Sequence, residues 1–530
     1  MSSSTGNGPI PPRSVADVFL RPSQNITRPP RDSMFMRNST SSRAASVRQQ
    51  DIPEVLRYME ARKMMSSYDG ARGSSEEAGA GGQGSDDLVM LFDVDALRSS
   101  FASLCEAFPP HFKHCLAVKA CPLAFVIDEA LDAGIGIEAA SFVELYVGFA
   151  RGCPPDLAVF DSPAKTNEEL EMSLASGALV NANSLDELDR IALILQRQEV
   201  GEGNSEGNPA AARVGVRLNP LVGAGDIAAF SVSVPTSKFG VPTTPENILA
   251  VVEAFRRWPW LIALHAHVGS QGFSLVQLGD GIATLCRIAD VVDSELGKGR
   301  VALLDIGGGL PANYDSEDVT PSFAEYAATL KRAVPSLFEN TDRVVVTEFG
   351  RAVLAKTAMV VGTIEYIRDN TAAEQWSKGD GDRDVHGHGD DVVETQASPA
   401  GYQTLVTHLG ADLFMRTAYW PKKFSHRLSI YGRDGNPLGT PLVKTDVAGP
   451  LCFQGDYMAR GLQLPRATQR NLVVVHDTGA NTLSVFSRHC SRPSPRVFGY
   501  ARDSEGKIYL RMVKDKETIQ DVARFWGVGS

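Results

Sequence analysis

The sequence predicts a (β/α)8 barrel followed by a second, mostly β domain. Three observations predict it: eight short apolar runs between residues 115 and 349, helix-period segments between them, and a change of texture after about residue 352. The runs are CLAVKA (115–120), GIGIEA (134–139), LAVF (157–160), ALVNA (178–182), VGVRL (214–218), LIALHAHV (261–268), VALLDI (301–306) and RVVVTEF (343–349). Short runs that stay apolar at successive positions belong to parallel strands covered on both faces. Four helices open on a capping-box pattern, Ser141…Glu144, Thr166…Glu169, Ser184…Glu187 and Ser322…Glu325, and three of these follow directly on a strand. Eight βα units over about 250 residues is the arithmetic of a TIM barrel. A doubly wound open sheet accommodates the same count.

The remaining segments are read in order. Residues 1–85 are rich in Ser, Pro, Gly and Arg with almost no apolar periodicity, and are expected to be disordered or a targeting leader. The first fifty residues hold seven Arg, two Asp and no Glu, a composition that transit peptides share. No hydrophobic core of a secretory signal precedes the barrel, so the expected compartment is cytoplasmic or organellar, not secreted. The barrel domain is placed at 86–352 and the β domain at 353–530. Gly201–Ala211 and a disordered insert near 375–398 read as polar, Gly-rich surface loops. In the last third, VLAKTAMVVGTIEYI, HRLSIYG, NLVVVHDTGA and KIYLRMV read as strands, and ETIQDVARFW as a closing helix.

Composition narrows the function. A hydrophobic share of 43% and a charged share of 22% are those of a globular protein, and 530 residues suffice for two packed domains. A net charge of -11 offers no basic footprint for nucleic acid or anionic lipid, and no apolar run is long enough to span a bilayer. Seven cysteines without a CxxC pair argue against a disulfide scaffold or a structural zinc site. His386 and His388 lie in an Asp/Gly-rich stretch and read as part of a flexible insert, so no metal site is expected.

In a barrel of this kind the chemistry sits at the C-terminal ends of the strands, and the unusual residues fall there. Lys119 ends the first strand inside an apolar run; desolvation there lowers a lysine pKa and makes it a good amine toward an aldehyde, whereas a snorkelling surface lysine would do nothing. His267 and Ser270 follow strand six, and Gly307, Gly308 and Gly309 follow strand seven. Glu348 and Arg351 end strand eight. Glycine loops also make ordinary turns, and His267 or Glu348 alone would pass for a core histidine or a salt-bridge partner. Loops after strands seven and eight, however, form the usual phosphate site of such barrels, and Arg351 adds a fork-shaped cation. A lysine, a phosphate cradle, a carboxylate and a flat ring are together what pyridoxal 5'-phosphate requires.

These motifs carry a family resemblance over about residues 88 to 525. AVKA (117–120), HVGSQ (267–271), DIGGG (305–309), EFGR (348–351), GPLCFQGD (449–456) and DTGANTLSVFSRHCSRPSP (477–495) resemble six ordered motifs of the fold-type III decarboxylases, which act on ornithine, arginine or diaminopimelate, and most closely the diaminopimelate branch. The resemblance implies an alanine-racemase-like barrel and a homodimer with shared active sites. It implies that Lys119 carries the cofactor, His267 stacks on its ring, Ser270 and the glycine loop hold the phosphate, and Arg351 helps to bind phosphate or substrate. Glu348 would pair with the ring nitrogen, and Cys452, from the partner's β domain, would return a proton to Cα. Asn481 would face the cofactor where relatives place a tyrosine. The implied reaction releases CO2 from a small-molecule amino acid.

Other departures bear on substrate. Phe453 stands where relatives place an acid that grips a distal ammonium, and Glu138 where polyamine relatives have Asp. Phe349 replaces a usual proline, and Ser487-Arg488-His489-Cys490 replaces a Ser-Asn-Tyr-Asn run. Arg416 matches an arginine that meets a distal carboxylate. These departures count against ordinary diaminopimelate activity and leave the L- or meso-amino acid open: a neutral or apolar one, or one with a distal acid read by Arg416 or Arg488, fits as well as diaminopimelate. A racemase or a catalytically inactive regulatory homologue on the same scaffold are the alternative readings.

Overall fold

The structure, a computed structural model, describes residue 35 and residues 45–65, 86–199, 212–370 and 401–529. Both expected inserts, with His386 and His388, lie outside those residues, as does most of the expected leader. Two compact units divide the chain: one holds Leu104–Pro311 and Ser322–Gly350, the other Asp32–Ser103, Ala312–Pro321 and Arg351–Ser530.

The first strand, β1 (Leu88–Asp93), belongs to the second unit. The first unit carries β2 (Phe112–Ala117), β3 (Gly136–Ala139), β4 (Ala158–Asp161), β5 (Leu179–Ala182), β6 (Arg213–Asn219), the two-residue β7 (Val241–Pro242), β8 (Leu261–His265), β9 (Leu303–Asp305) and β10 (Val344–Phe349). Their order is β5-β4-β3-β2-β10-β9-β8-β6, all parallel, and β6 pairs back to β5. The sheet is therefore closed, which excludes the open doubly wound alternative. All eight apolar runs are barrel strands. Thr166 and Ser322 make full capping boxes with Glu169 and Glu325. Ser141 accepts from the Glu144 N–H, but the Glu144 carboxylate reaches one residue further back, to the Ala140 N–H.

The barrel interior is layered by the two-residue period of its strands. Cys115, Val159, Leu179, Ala263, Leu303 and Val346, from six different strands, pack as one apolar cluster. Two residues onward on the same strands stand Ala117, Asp161, Asn181, His265, Asp305 and Glu348. A step of two residues is about 6–7 Å along a strand and returns to the same face. An apolar floor is thus followed by a polar layer at the C-terminal ends.

The second unit is a nine-stranded sheet built from β1 with β11 (Ala358–Asp369), β12 (Tyr402–Thr407), β13 (Leu428–Tyr431), β14 (Leu442–Ala448), β15 (Tyr457–Pro465), β16 (Leu472–Val475), β17 (Arg496–Arg502) and β18 (Ile508–Lys514). Two expectations are corrected here. β1, read as part of the 86–352 domain, lies inside this sheet, antiparallel to β11 and parallel to β17. LVMLFD is as apolar as any barrel strand, and nothing local marks its partners. Within 1–85, residues 52–61 form a helix, with Ile52, Val55, Leu56 and Met59 buried against β1, β11 and β16 residues. The spacing i, i+3, i+4, i+7 is a helical stripe, and each such side chain contributes roughly 1.5–3 kcal/mol by burial. The surrounding Ser/Gly-rich sequence diluted that signal. The closing helix spans Ile519–Phe525, capped by Thr518. No helix among the described residues is long and apolar enough to cross a membrane.

Candidate active site

Lys119 follows β2 in a single 3-10 turn, Val118–Ala120. Its ammonium donates to both oxygens of Glu138 at 3.0 and 2.9 Å. Glu138 is fully buried, whereas the Lys119 side chain is 46% exposed. Burial would lower the lysine pKa as the sequence suggests, but Glu138, then Glu348 and Asp161, outweigh it and hold the ammonium above its ordinary value. The expected depressed lysine is corrected: here the amine is paired, and Glu138 is the base beside it.

Below Lys119 lies the polar layer. Arg217 Nη1 meets Asp161 Oδ2 at 2.5 Å, and His265 stands between Asp161 and Asp305. Asp305 also accepts from Asn181 at 2.8 Å and from the Gly307 N–H at 3.1 Å, and a carboxyl oxygen of Glu348 lies within 4.8 Å of its own. Burial pushes Asp305 up, but His265 and these hydrogen bonds hold its carboxyl below the usual range. Glu348 is driven the other way, well above the usual carboxyl range, by burial and then by Asp305.

The glycine loop closes over this layer. A Cβ at Gly308 would lie 2.1 Å from the Glu348 carbonyl oxygen, and one at Gly309, where φ is +97°, 2.3 Å from the Gly269 carbonyl oxygen. Only glycines let the loop following β9 run this close to β10 and to the loop carrying Ser270. The Gly308 N–H donates to His267 Nδ1 at 3.2 Å, which fixes Nδ1 as the unprotonated nitrogen. Burial, then Lys119, Arg217 and His265, hold the His267 imidazole well below its ordinary pKa, so it is a neutral flat ring. One oxygen of Glu348, Oε1, is buried without a hydrogen-bond partner. An amine, a neutral ring, a glycine cradle and a buried carboxyl oxygen awaiting a donor fit pyridoxal phosphate.

The second unit carries the other expected residues. Arg351 Nη1 donates to the Tyr314 hydroxyl at 3.2 Å. Arg416, on the short helix Met415–Tyr419, is lowered to about 10 by burial and then by the charge of Arg351. Cys452 and Phe453 lie on the loop between β14 and β15, pinned by the buried Asp456, which accepts from the Ala411 and Leu451 N–H groups at 2.6 Å each. Cys452 is exposed, and Phe453 stacks on Tyr419 with centroids 5.7 Å apart and meets the His489 ring edge-on. Asn481 adopts a left-handed conformation, φ 56°, in the loop after β16. Arg488 holds Glu517 with two nitrogens at 2.5 Å each, so its fork is committed to that carboxylate.

Residues 94–355 match the family model described as pyridoxal-dependent decarboxylase, pyridoxal binding domain. The chain belongs to the pyridoxal-dependent decarboxylases. Diaminopimelate decarboxylase of Methanothermobacter thermautotrophicus is 28% identical over 446 residues, covering 82% of this chain and 90% of the relative. The Helicobacter pylori enzyme of that name is 23% identical, covering 82% and 94%. Among solved structures, diaminopimelate decarboxylase from Helicobacter pylori complexed with L-lysine superposes with a TM-score of 0.67 at 21% identity, covering 84% of this chain and 98% of that one. Lysine/ornithine decarboxylase from Vibrio vulnificus complexed with cadaverine gives 0.60 at 21% identity, covering 78% and 94%.

For this decarboxylase, sequence reasoning passed over Asp161, Asn181, Arg217, His265 and Asp305. Their common signal is a polar residue at the C-terminal end of an apolar strand. It also left Phe349 unexplained. The ring is buried on the barrel's outer face, edge-on to Phe323 and Tyr326 at 5.1 and 5.8 Å, a packing role that a proline would not fill.

Proposed function

We propose that this decarboxylase acts on an α-amino acid whose far end is a carboxylate and carries no ammonium. The observation behind this reading is that the positive charge of Arg351 weighs on the half-buried Arg416 and lowers its pKa. Two neighbouring guanidiniums repel each other, and a ligand carboxylate relieves that repulsion. Phe453, in place of an acid, supplies neither charge nor acceptor for a distal ammonium. An ammonium buried without a partner costs roughly 3–5 kcal/mol, so 2-aminopimelate should exceed meso-diaminopimelate in kcat/KM about 100-fold or more. Phe453→Glu should shift that ratio toward the diamino acid. CO2 release from both compounds by parent and variant checks this, and a tenfold parental preference for meso-diaminopimelate overturns it.

Bound pyridoxal phosphate supplies the electron sink that lets the α-carboxylate depart as CO2. The chain's own residues do the rest. Lys119 tethers the cofactor, and Glu138 takes the ammonium proton that Lys119 must lose to do so. His267 offers a neutral ring face. The Gly307–Gly309 loop and Ser270 would hold the phosphate, with Arg351 helping there or at the substrate; Asn481 would face the cofactor, and Glu348 would pair with the ring nitrogen. Cys452 returns a proton to Cα, a general-acid step worth about 10²–10⁴-fold.

An exposed Cys452 on a pinned loop suits donation to a second copy's site, so the working form is a homodimer with shared sites. Cys452→Ala should slow turnover within that range. Mixing Lys119→Ala chains with Cys452→Ala chains should restore part of the activity, because a mixed dimer holds one intact site. Absence of any restoration in verified mixed dimers overturns the shared site.

A further inference from the structure

One part of the polar layer has no assigned task. His265 is fully buried, with Nε2 3.5 Å from Asp161 Oδ2 and Nδ1 3.1 Å from Asp305 Oδ2. Neither nitrogen meets hydrogen-bond geometry, but each lies within ion-pair distance of a carboxylate oxygen. A neutral imidazole would leave both of those buried charges uncompensated by the ring, whereas the imidazolium sets one positive charge between them. Arg217 closes the Asp161 end. At the other end Asp305 meets Glu348, and two buried carboxyls that close together do not both ionise. Which of the pair keeps the proton depends on what stands behind Asp305.

We propose that His265 is a positioning residue: a permanently protonated imidazolium, clamped between Asp161 and Asp305, that holds Asp305 as the carboxylate and so assigns the pair's proton to Glu348. This rests on the reading of Glu348 as the partner of the ring nitrogen. The charges facing the site agree with it. Glu138, Asp161, Asp305 and Glu348 stand against Lys119, Arg217 and His265, with Asn181 and the His267 ring neutral. Four carboxyls against three cations leave one proton to be held. Burial opposes the imidazolium charge, but Asp305, Glu348 and Asp161 outweigh it and hold His265 well above its ordinary pKa. Without that charge two carboxyls are in excess, and the layer binds its remaining protons more tightly.

The test uses the full-length, cofactor-loaded protein with ¹⁵N-labelled histidine, followed by NMR from pH 6 to 9. One ring should stay doubly protonated and protected from solvent exchange throughout, and should vanish in His265→Gln. No such ring overturns the proposal. This measurement decides even if the variant does not fold, because the other buried histidines, His114, His267, His426 and His476, are all held below their ordinary pKa. A second readout is the protonation midpoint of ring-¹⁵N pyridoxal phosphate. His265→Gln should raise it by at least one pH unit, a tenfold gain in proton affinity, and the rise should disappear in a Glu348→Gln background. An unchanged or lowered midpoint, which a mere packing defect would give, overturns the proposal. A ring nitrogen unprotonated in the parent protein overturns the Glu348 reading instead, while the histidine spectrum still reports on His265.

Discussion

Lys119→Ala should abolish both the cofactor's reducible absorbance band and CO2 release. The side chain supplies an amine at the barrel mouth next to a base that can accept its proton, Glu138 at 2.9–3.0 Å. Two lysines that are buried, unlike Lys119, offer a control. Lys165 gives its ammonium to the Ser162 and Asn181 carbonyls and to Glu187, and Lys356 gives its own to the Ser316 carbonyl and Asp477. Each is fixed by three or two acceptors that a free amine would have to abandon. Borohydride reduction followed by peptide mapping should therefore label Lys119 alone. Lys119→Arg should fail as completely, since a guanidinium does not give up its proton. A label on Lys165 or Lys356 in the parent protein would falsify the assignment.

Glu348→Gln should lower kcat by about 10²–10⁴-fold without unfolding the protein. The carboxyl binds a proton more tightly in the folded chain than in the unfolded one, because burial and Asp305 raise its pKa. Between the unfolded and the folded value, a rising pH therefore draws stability away from the folded state. Glutamine carries no such proton. At pH 8 the cofactor-free variant should melt no lower than the cofactor-free parent, while its loaded form shows the activity loss. A drop of several degrees in Tm would mean that the residue is structural, and a kcat within threefold of the parent would remove Glu348 from the site.

The barrel was legible because each strand is a short apolar run bounded by a helix signal, and closure then follows from pairing β5 with β6. Lys119, the glycine loop and Glu348 were legible because they end such runs. The polar layer was not. His265, read with His267 as part of LIALHAHV, differs from it only in facing the barrel axis two residues above Ala263, and that is visible only once Ala263 is known to belong to the floor. The effect of Glu138 on Lys119 was hidden for a related reason. β2 and β3 pair with Ala117 opposite Glu138, and register across strands leaves no trace in local sequence. The helix at 52–61 was hidden by its surroundings, and β1 by its likeness to barrel strands.

The position of β1 has a consequence for the order in which the protein is made. Val89 pairs with Arg496, and at about 5–20 residues per second the ribosome needs roughly 20–80 s to supply that neighbour. Every barrel strand is synthesised in the interval, so the barrel can close while β1 still waits. A central strand left waiting exposes an apolar, unpaired edge. Chaperone binding to nascent chains is accordingly expected to start at LVMLFD and to end only when the last two strands emerge.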